Sequence, residues 1–339
     1  MPDNSSFVMY RSITGPMCRL RFVILLLVLP LSGCTILERT AHMYGSEAPA
    51  PQVFQFKDGG TSIYYAFTAG DSPQPDTAVF FYGATGCPSW KSVIPGYVSG
   101  LAVPARVFVL NKRFVADRST GLFGCGRDFH LANNPGRWLA DYSEFITTQL
   151  DAAVPRPRNV VLVGVSEGAL PAVKVAGLLP EVTHLAIIGS GAYTMRRSLS
   201  TLKQKGAIAF DVESGWQAIS TDPRSIEKSW YGNRYRWWSD IMDLDPLPDF
   251  LQLNIPIIVG IGEQDRSVPV ESARFLESKF NEAGKSNLTL IVYPSADHRL
   301  GARGISHRSD FFAELSRLLR STDDSAAERD SAQGARLVP

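Results

Sequence analysis

The chain alternates between short, predominantly apolar runs and longer stretches whose apolar residues recur every three or four positions. The runs are TAVFFYG (77–83), ARVFVLN (105–111), NVVLVGV (159–165), THLAIIGSG (183–191), PIIVGIGE (256–263) and LTLIVYPS (288–295). Runs this short, rich in Val, Ile and Phe, predict strands buried on both faces. VFQF (53–56) and TSIYYAFT (61–68) flank Asp58-Gly59-Gly60 and predict a hairpin. PGRWLADYSEFITTQLDAA (135–153) opens on a proline, which suits a first helical turn, and repeats Trp138, Tyr142, Phe145 and Ile146 at helical spacing. Further helices are predicted over 167–179, 270–283 and 305–320. Strands alternating with amphipathic helices imply an α/β fold, a mostly parallel central sheet with helices on both faces. In such sheets ligands bind beyond the carboxyl ends of the strands, so polar residues directly after a strand are the first candidates for function.

Three segments fall outside this alternation. Residues 112–134 read as a long loop containing Gly121, Gly124, Cys125 and Gly126, and loops of that length are often functional. Residues 192–254 lie between two strands and contain KSWYGNRYRWWSD (228–240). Its aromatic residues either pack the segment onto the body or form a wall for substrate. The tail STDDSAAERDSAQGARLVP (321–339) is charged and poor in large apolar residues, and reads as disordered.

Three strand ends carry reactive side chains. Ser166 follows strand 159–165 in GVSEG, Asp265 follows strand 256–263 in GEQDRSVPV, and His298 follows strand 288–295 in PSADHRLG. A serine hydroxyl is a weak nucleophile at neutral pH and needs an imidazole to accept its proton. The imidazole needs a buried carboxylate to hold its tautomer and to stabilise its charged form. Asp297 and Glu263 are rival acids, the first disfavoured because it adjoins His298.

Over residues 53–320 the chain resembles the α/β-hydrolase superfamily of serine hydrolases, in the Ser-Asp-His order and in GxSxG at a strand end. The resemblance implies an α/β-hydrolase fold with a lid insertion (192–254) after the sixth strand, and catalytic Ser166, Asp265 and His298. It implies an oxyanion hole made by the backbone N–H of Glu167 and one from YGATGCPSW, with Ala84 first and Thr85 second. Members often have His-Gly-x in that loop, where this chain has Tyr82-Gly83-Ala84. Tyr82, Trp237 and Trp238 are the candidate substrate contacts. Among the remaining histidines, His184 and His307 read as structural or exposed, His42 lies in a tether, and His130 is a weaker pocket candidate. No spacing of His, Cys, Asp and Glu suggests a metal, and no dinucleotide motif follows the first strand, so no cofactor is expected.

The expected activity is hydrolysis of a carboxylic ester, or a related acyl bond, of a small molecule through an acyl-serine. A serine peptidase or acyltransferase with the same residues is the alternative within enzymes, and a non-catalytic binding lipoprotein is the alternative outside them. Net charge is +1, with 34 basic and 33 acidic residues, which gives no reason to expect nucleic acid. Oligomeric state is not legible.

The N-terminus changes where this chemistry is expected. MCRLRFVILLLVLPLSGC (17–34) has a short basic region and an apolar run too short to span a bilayer, the pattern of a signal peptide. Leu31-Ser32-Gly33-Cys34 resembles the lipobox of bacterial lipoproteins. That resemblance implies removal of residues 1–33, a lipid on Cys34, a tether over 34–51 and an enzyme domain over 52–320. The chain would then be held by acyl chains in the bacterial envelope, facing the periplasm, with Thr35 favouring the outer membrane. The polar residues before Met17 make an odd leader, and a start at Met17 is expected. Cys18 would be discarded, leaving Cys87 and Cys125 able to form one disulfide in an exported protein.

Overall fold

In a computed structural model, the structure describes residues 49–335, except 92–93 and 122–123. The expected signal peptide, the lipobox-like stretch with Cys34, and most of the expected tether lie outside the described residues. No helix among the described residues is long and apolar enough to cross a membrane.

The chain begins with strands β1 (Gln52–Gln55), β2 (Thr61–Ala69) and β3 (Thr77–Tyr82), then helix α1 (Ile94–Val98) and β4 (Ala105–Leu110). Helices α2 (Arg127–Ala132) and α3 (Pro135–Ala152) precede β5 (Asn159–Val165). A 3-10 turn over Ser166–Gly168 leads into α4 (Ala169–Leu178) and β6 (His184–Ile188). The insertion contains α5 (Met195–Gln204), α6 (Val212–Ser220), the short pair β7 (Ser229–Trp230) and β8 (Asn233–Arg234), α7 (Tyr235–Ile241) and α8 (Leu247–Gln252). The chain continues through β9 (Ile257–Gly262), α9 (Val270–Glu282), β10 (Leu288–Tyr293), the pair β11 (Gly301–Ala302) and β12 (Ile305–Ser306), and α10 (Arg308–Ala335).

Eight strands form one sheet in the order β1-β2-β4-β3-β5-β6-β9-β10. Strand β2 is antiparallel to both of its neighbours, and every pairing from β4 to β10 is parallel. The unbroken apolar runs follow from burial on both faces. In β3, Ala78, Phe80 and Tyr82 enter one core while Val79 and Phe81 enter the other; β5 splits Val160 and Leu162 from Val161, Val163 and Val165. The first core is covered by α3, α4 and α9, through residues such as Tyr142, Phe145, Val173 and Leu276. The second is covered by α1 and α10, through Ile94, Tyr97, Phe311, Phe312 and Leu315. Helix α3 is capped by Asn134, whose side chain accepts from the Arg137 amide, with Pro135 in its first turn.

Two expectations are corrected. Residues 321–335 continue α10 where disorder was expected. The segment lacks apolar residues to bury, but Ala, Glu and Arg favour helix regardless of burial, so extension of a docked helix costs no new nucleus. Residues 112–134 are not wholly loop, because 127–132 form α2 with Phe129 buried beneath it. Cys87 and Cys125 form a disulfide that ties this segment to the loop after β3, with their Cα atoms 5.8 Å apart. A sequence separation of 38 makes the bridge worth about 3–4 kcal/mol in chain entropy. Replacing both cysteines by serine should lower the denaturation midpoint by a corresponding amount, read by urea unfolding with and without reductant. The variant should show no response to reductant.

Candidate active site

The three candidate side chains meet beyond the carboxyl edge of the sheet. Strand β5 delivers Ser166 on a backbone with φ of 56°, a left-handed conformation unfavourable for a residue with a Cβ. The sharp turn lifts the hydroxyl away from β5 and leaves Ser166 partly exposed. The imidazole Nε2 of His298 lies 2.9 Å from Ser166 Oγ, and its Nδ1 lies 2.7 Å from Asp265 Oδ2. The Asp265 side chain is fully buried, whereas that of His298 is 25% exposed. The second carboxylate oxygen of Asp265 accepts from the amides of Ser267 (2.7 Å) and Val268 (2.9 Å). Both oxygens are thereby fixed, and the carboxylate faces the imidazole as an acceptor.

The rival acids are engaged elsewhere. Asp297 accepts from the amides of Arg299 and Gly301 at 2.8 and 2.9 Å and so closes its own turn. Glu263 is exposed and faces Arg274 at 3.5 Å. His184 is buried against Thr183 and Thr322, His307 pairs with Asp310, and His130 accepts from Arg234 at 3.4 Å. Among the described residues no cluster of His, Cys, Asp and Glu is placed to hold a metal.

Two glycines let the pieces close. A Cβ at Gly168 would sit 2.3 Å from the Tyr82 carbonyl oxygen and 2.7 Å from that of Gly83. The turn after Ser166 is therefore pressed against the end of β3, at Tyr82 and Gly83. Gly189 ends β6 with φ of 64°, and a Cβ there would lie 3.1 Å from the His298 ring. The loop after β3 is held by a buried polar network. The Tyr65 hydroxyl meets Ser89 Oγ at 2.8 Å and donates to Asp117, Lys91 pairs with Asp117, and Asn111 accepts from the Trp90 amide.

A narrow cleft open to solvent adjoins Ser166. Its apolar walls are Leu170, Tyr193, Met195, Ile241, Leu244 and Val268, with Ser190, Ser198 and Ser272 among them. Tyr193, Met195, Ile241 and Leu244 come from the insertion after β6, and sequence reasoning missed them. Their only signal was the Gly-Ser-Gly at 189–191, a small-residue turn directly after a strand.

None of the three expected substrate contacts, Tyr82, Trp237 and Trp238, lines this cleft. Trp237 and Trp238 are 4% and 3% exposed and join the core beneath the insertion instead of lining this cleft. The Trp238 indole donates to the Trp230 carbonyl at 2.6 Å, and the two rings meet edge to face. Large aromatic area is most stabilising when removed from water altogether, which is what this cluster does. Tyr82 packs against Tyr142 and borders a separate small cavity with Lys112, Arg113 and Asp141. Burial, with Glu167 and Asp141 nearby, pushes its hydroxyl well above the usual phenol range.

With this geometry in place, a family model described as the prolyl oligopeptidase family matches residues 115–320. The chain belongs to the prolyl oligopeptidase family. It is a serine hydrolase acting on ester or amide bonds. An esterase of Pyrococcus furiosus is similar over 80% of this chain and 90% of its own, with a TM-score of 0.54 at 13% identity. Est1E of Butyrivibrio proteoclasticus is similar over 80% of this chain and 99% of its own, also with a TM-score of 0.54 at 13% identity. An acylaminoacyl peptidase of Pyrococcus horikoshii is similar over 79% of this chain but only 41% of its own, with a TM-score of 0.51 at 14% identity. These likenesses establish the α/β-hydrolase fold. No curated protein matches the chain.

Gly168→Ala should disrupt the site without touching a reacting group. The added carbon meets backbone oxygens on β3 and its following loop, so the turn must shift, at a cost of about 1–3 kcal/mol. Ester hydrolysis by the folded fraction should fall by an order of magnitude or more, measured beside thermal unfolding.

Proposed function

We propose that this chain is an esterase that forms an acyl-enzyme on Ser166 and accepts an uncharged, apolar acyl group. Ser166 Oγ attacks the ester carbonyl carbon while His298 Nε2 takes the hydroxyl proton. The carbonyl electron pair moves to oxygen, and the resulting oxyanion is met by the backbone N–H groups of Glu167 and Ala84. Collapse expels the alcohol, which receives the proton from His298, and water repeats the sequence to release the acid. Asp265 holds the imidazole tautomer and offsets the charge formed on it.

The observation that carries the choice of ester over peptide is the charge of the cleft. Glu167 is the one charged residue among those lining it, and its carboxylate is already paired with Lys112. No lining carboxylate is left to neutralise the free ammonium of a peptide N-terminus, while six apolar walls favour an apolar acyl chain. A peptidase or acyltransferase using the same residues is the second reading, and the family to which the chain belongs favours the peptidase.

Labelling with a fluorophosphonate should modify the parent and not Ser166→Ala. Among p-nitrophenyl esters and aminoacyl anilides, kcat/KM should be highest for neutral acyl esters. Faster cleavage of the anilides would overturn the esterase assignment while leaving the serine mechanism intact.

The proposal extends to place. The lipobox-like Leu31–Cys34 and the disulfide both suit an exported, lipid-anchored enzyme facing the periplasm. Metabolic labelling with a palmitate analogue should mark the parent and not Cys34→Ser. Equal labelling of both would remove the anchor from the proposal.

A further inference from the structure

The residue that follows the nucleophile carries a carboxylate into the interior, where it meets two separate parts of the fold. The side chain of Glu167 is 1% exposed. Its Oε1 accepts from Lys112 Nζ at 2.5 Å, and its Oε2 accepts from the Trp237 indole at 3.2 Å. The Lys112 side chain is itself 9% exposed, and its ammonium lies 4.9 Å from the centre of the Trp138 ring. Lys112 follows β4 at the head of the segment that the disulfide secures, and Trp237 sits on α7 in the insertion.

A buried ion pair of this kind is poor evidence for stability, because desolvation of both charges offsets their attraction. It is costly for the interior and is placed one residue from the reacting oxygen. An unpaired carboxylate there would oppose the negative charge that develops in the transition state. Paired with Lys112, it is cancelled, and its two hydrogen bonds hold both oxygens in place.

We propose that Lys112 and Trp237 act as positioning residues. By clamping the Glu167 side chain they aim its backbone N–H at the oxyanion and cancel the carboxylate's charge beside it. This inference rests on the serine hydrolase mechanism above. The clamp also means that Trp237 of the insertion and Lys112 of the disulfide-secured segment both contribute to the oxyanion hole without lining the cleft.

The test uses purified parent, Glu167→Gln, Lys112→Met, the double variant and Trp237→Phe. Active sites are titrated with a fluorophosphonate, so that kcat is expressed per competent serine. An aryl trifluoromethyl ketone serves as the transition-state probe. Ser166 Oγ adds to its carbonyl carbon, the proton passes to His298, and the carbonyl electron pair settles on oxygen as an oxyanion in the hole. Glu167→Gln and Lys112→Met should lower kcat per site about 10- to 100-fold, below the loss from deleting a donor, with KM changed by less than about threefold. The Ki of the ketone should rise by the same factor as kcat falls. The double variant removes both charges and should be faster than Lys112→Met, which leaves the carboxylate unpaired.

Unchanged kcat per site and unchanged Ki in the single variants, with losses only in thermal stability or active fraction, would overturn the inference. So would a double variant no faster than Lys112→Met. Should Lys112→Met not fold, Trp237→Phe decides, because it removes one hydrogen bond to Glu167 and leaves the ion pair. Parent values of kcat per site and Ki in that variant would overturn the clamp. A parent that titrates no serine overturns the hydrolase mechanism together with the clamp, a result distinct from a fully titrated parent with unaffected variants.

Discussion

The close approach of the turn after Ser166 to the end of β3 is the constraint on which the rest of the molecule depends. The turn is left-handed at a residue that bears a side chain, and Gly168 lies against two backbone carbonyls. Such a conformation persists only where its surroundings leave it no alternative. Here they are the two central parallel strands, β3 and β5, each buried on both faces. Their pairing fixes the distance between the nucleophile and the loop after β3. Once that distance is set, the loops after β9 and β10 need only bring one carboxylate and one imidazole to the same edge.

Much of this was legible in the sequence because it is written in local patterns. Residues 159–165 form a buried strand because the six positions after Asn159, VVLVGV, suit burial on both faces, and Ser166 stands immediately after them. Asp265 and His298 could be singled out for the same reason, each lying just beyond an apolar run. What was not legible is what depends on tertiary placement. Trp237 and Trp238 carry the same composition whether they wall a cleft or fill a core, and only the packing of α7 onto the body decides. Lys112 sat in a stretch read as loop, with no periodic signal to mark it. Its partner lies 55 residues away, and ion pairs across that span leave no trace in spacing. The tail was misread for a different reason, since low hydrophobicity argues against a core and does not argue against a helix.

The insertion after β6 is less separate than the word lid suggests. Leu199, Val212, Ile219, Trp237, Ile241 and Phe250 belong to the same core as α3 and α4. Its helices α5 and α7 place Met195 and Ile241 at the cleft and Leu199, Trp237 and Trp238 in the core. The residues that wall the cleft therefore stand on a segment packed into the main core. Their identity can change the pocket without loosening the scaffold, which is where function should sit on a fold of this kind.

Position 167 has a consequence for how such a chain can diverge. In the proposed mechanism its backbone serves the reacting centre, while its side chain is bound to residues on two other segments. A neutral residue at 167 strands the ammonium of Lys112 in the interior, and a neutral residue at 112 strands the carboxylate. Neither position can drift alone without passing through a less fit intermediate. Within a lineage the two should be inherited as a pair or exchanged as a pair, with the indole at 237 following the carboxylate. A serine hydrolase usually advertises itself by its three reactive groups, but with the proposed clamp the heritable signature of this one should extend to a lysine and a tryptophan outside the cleft.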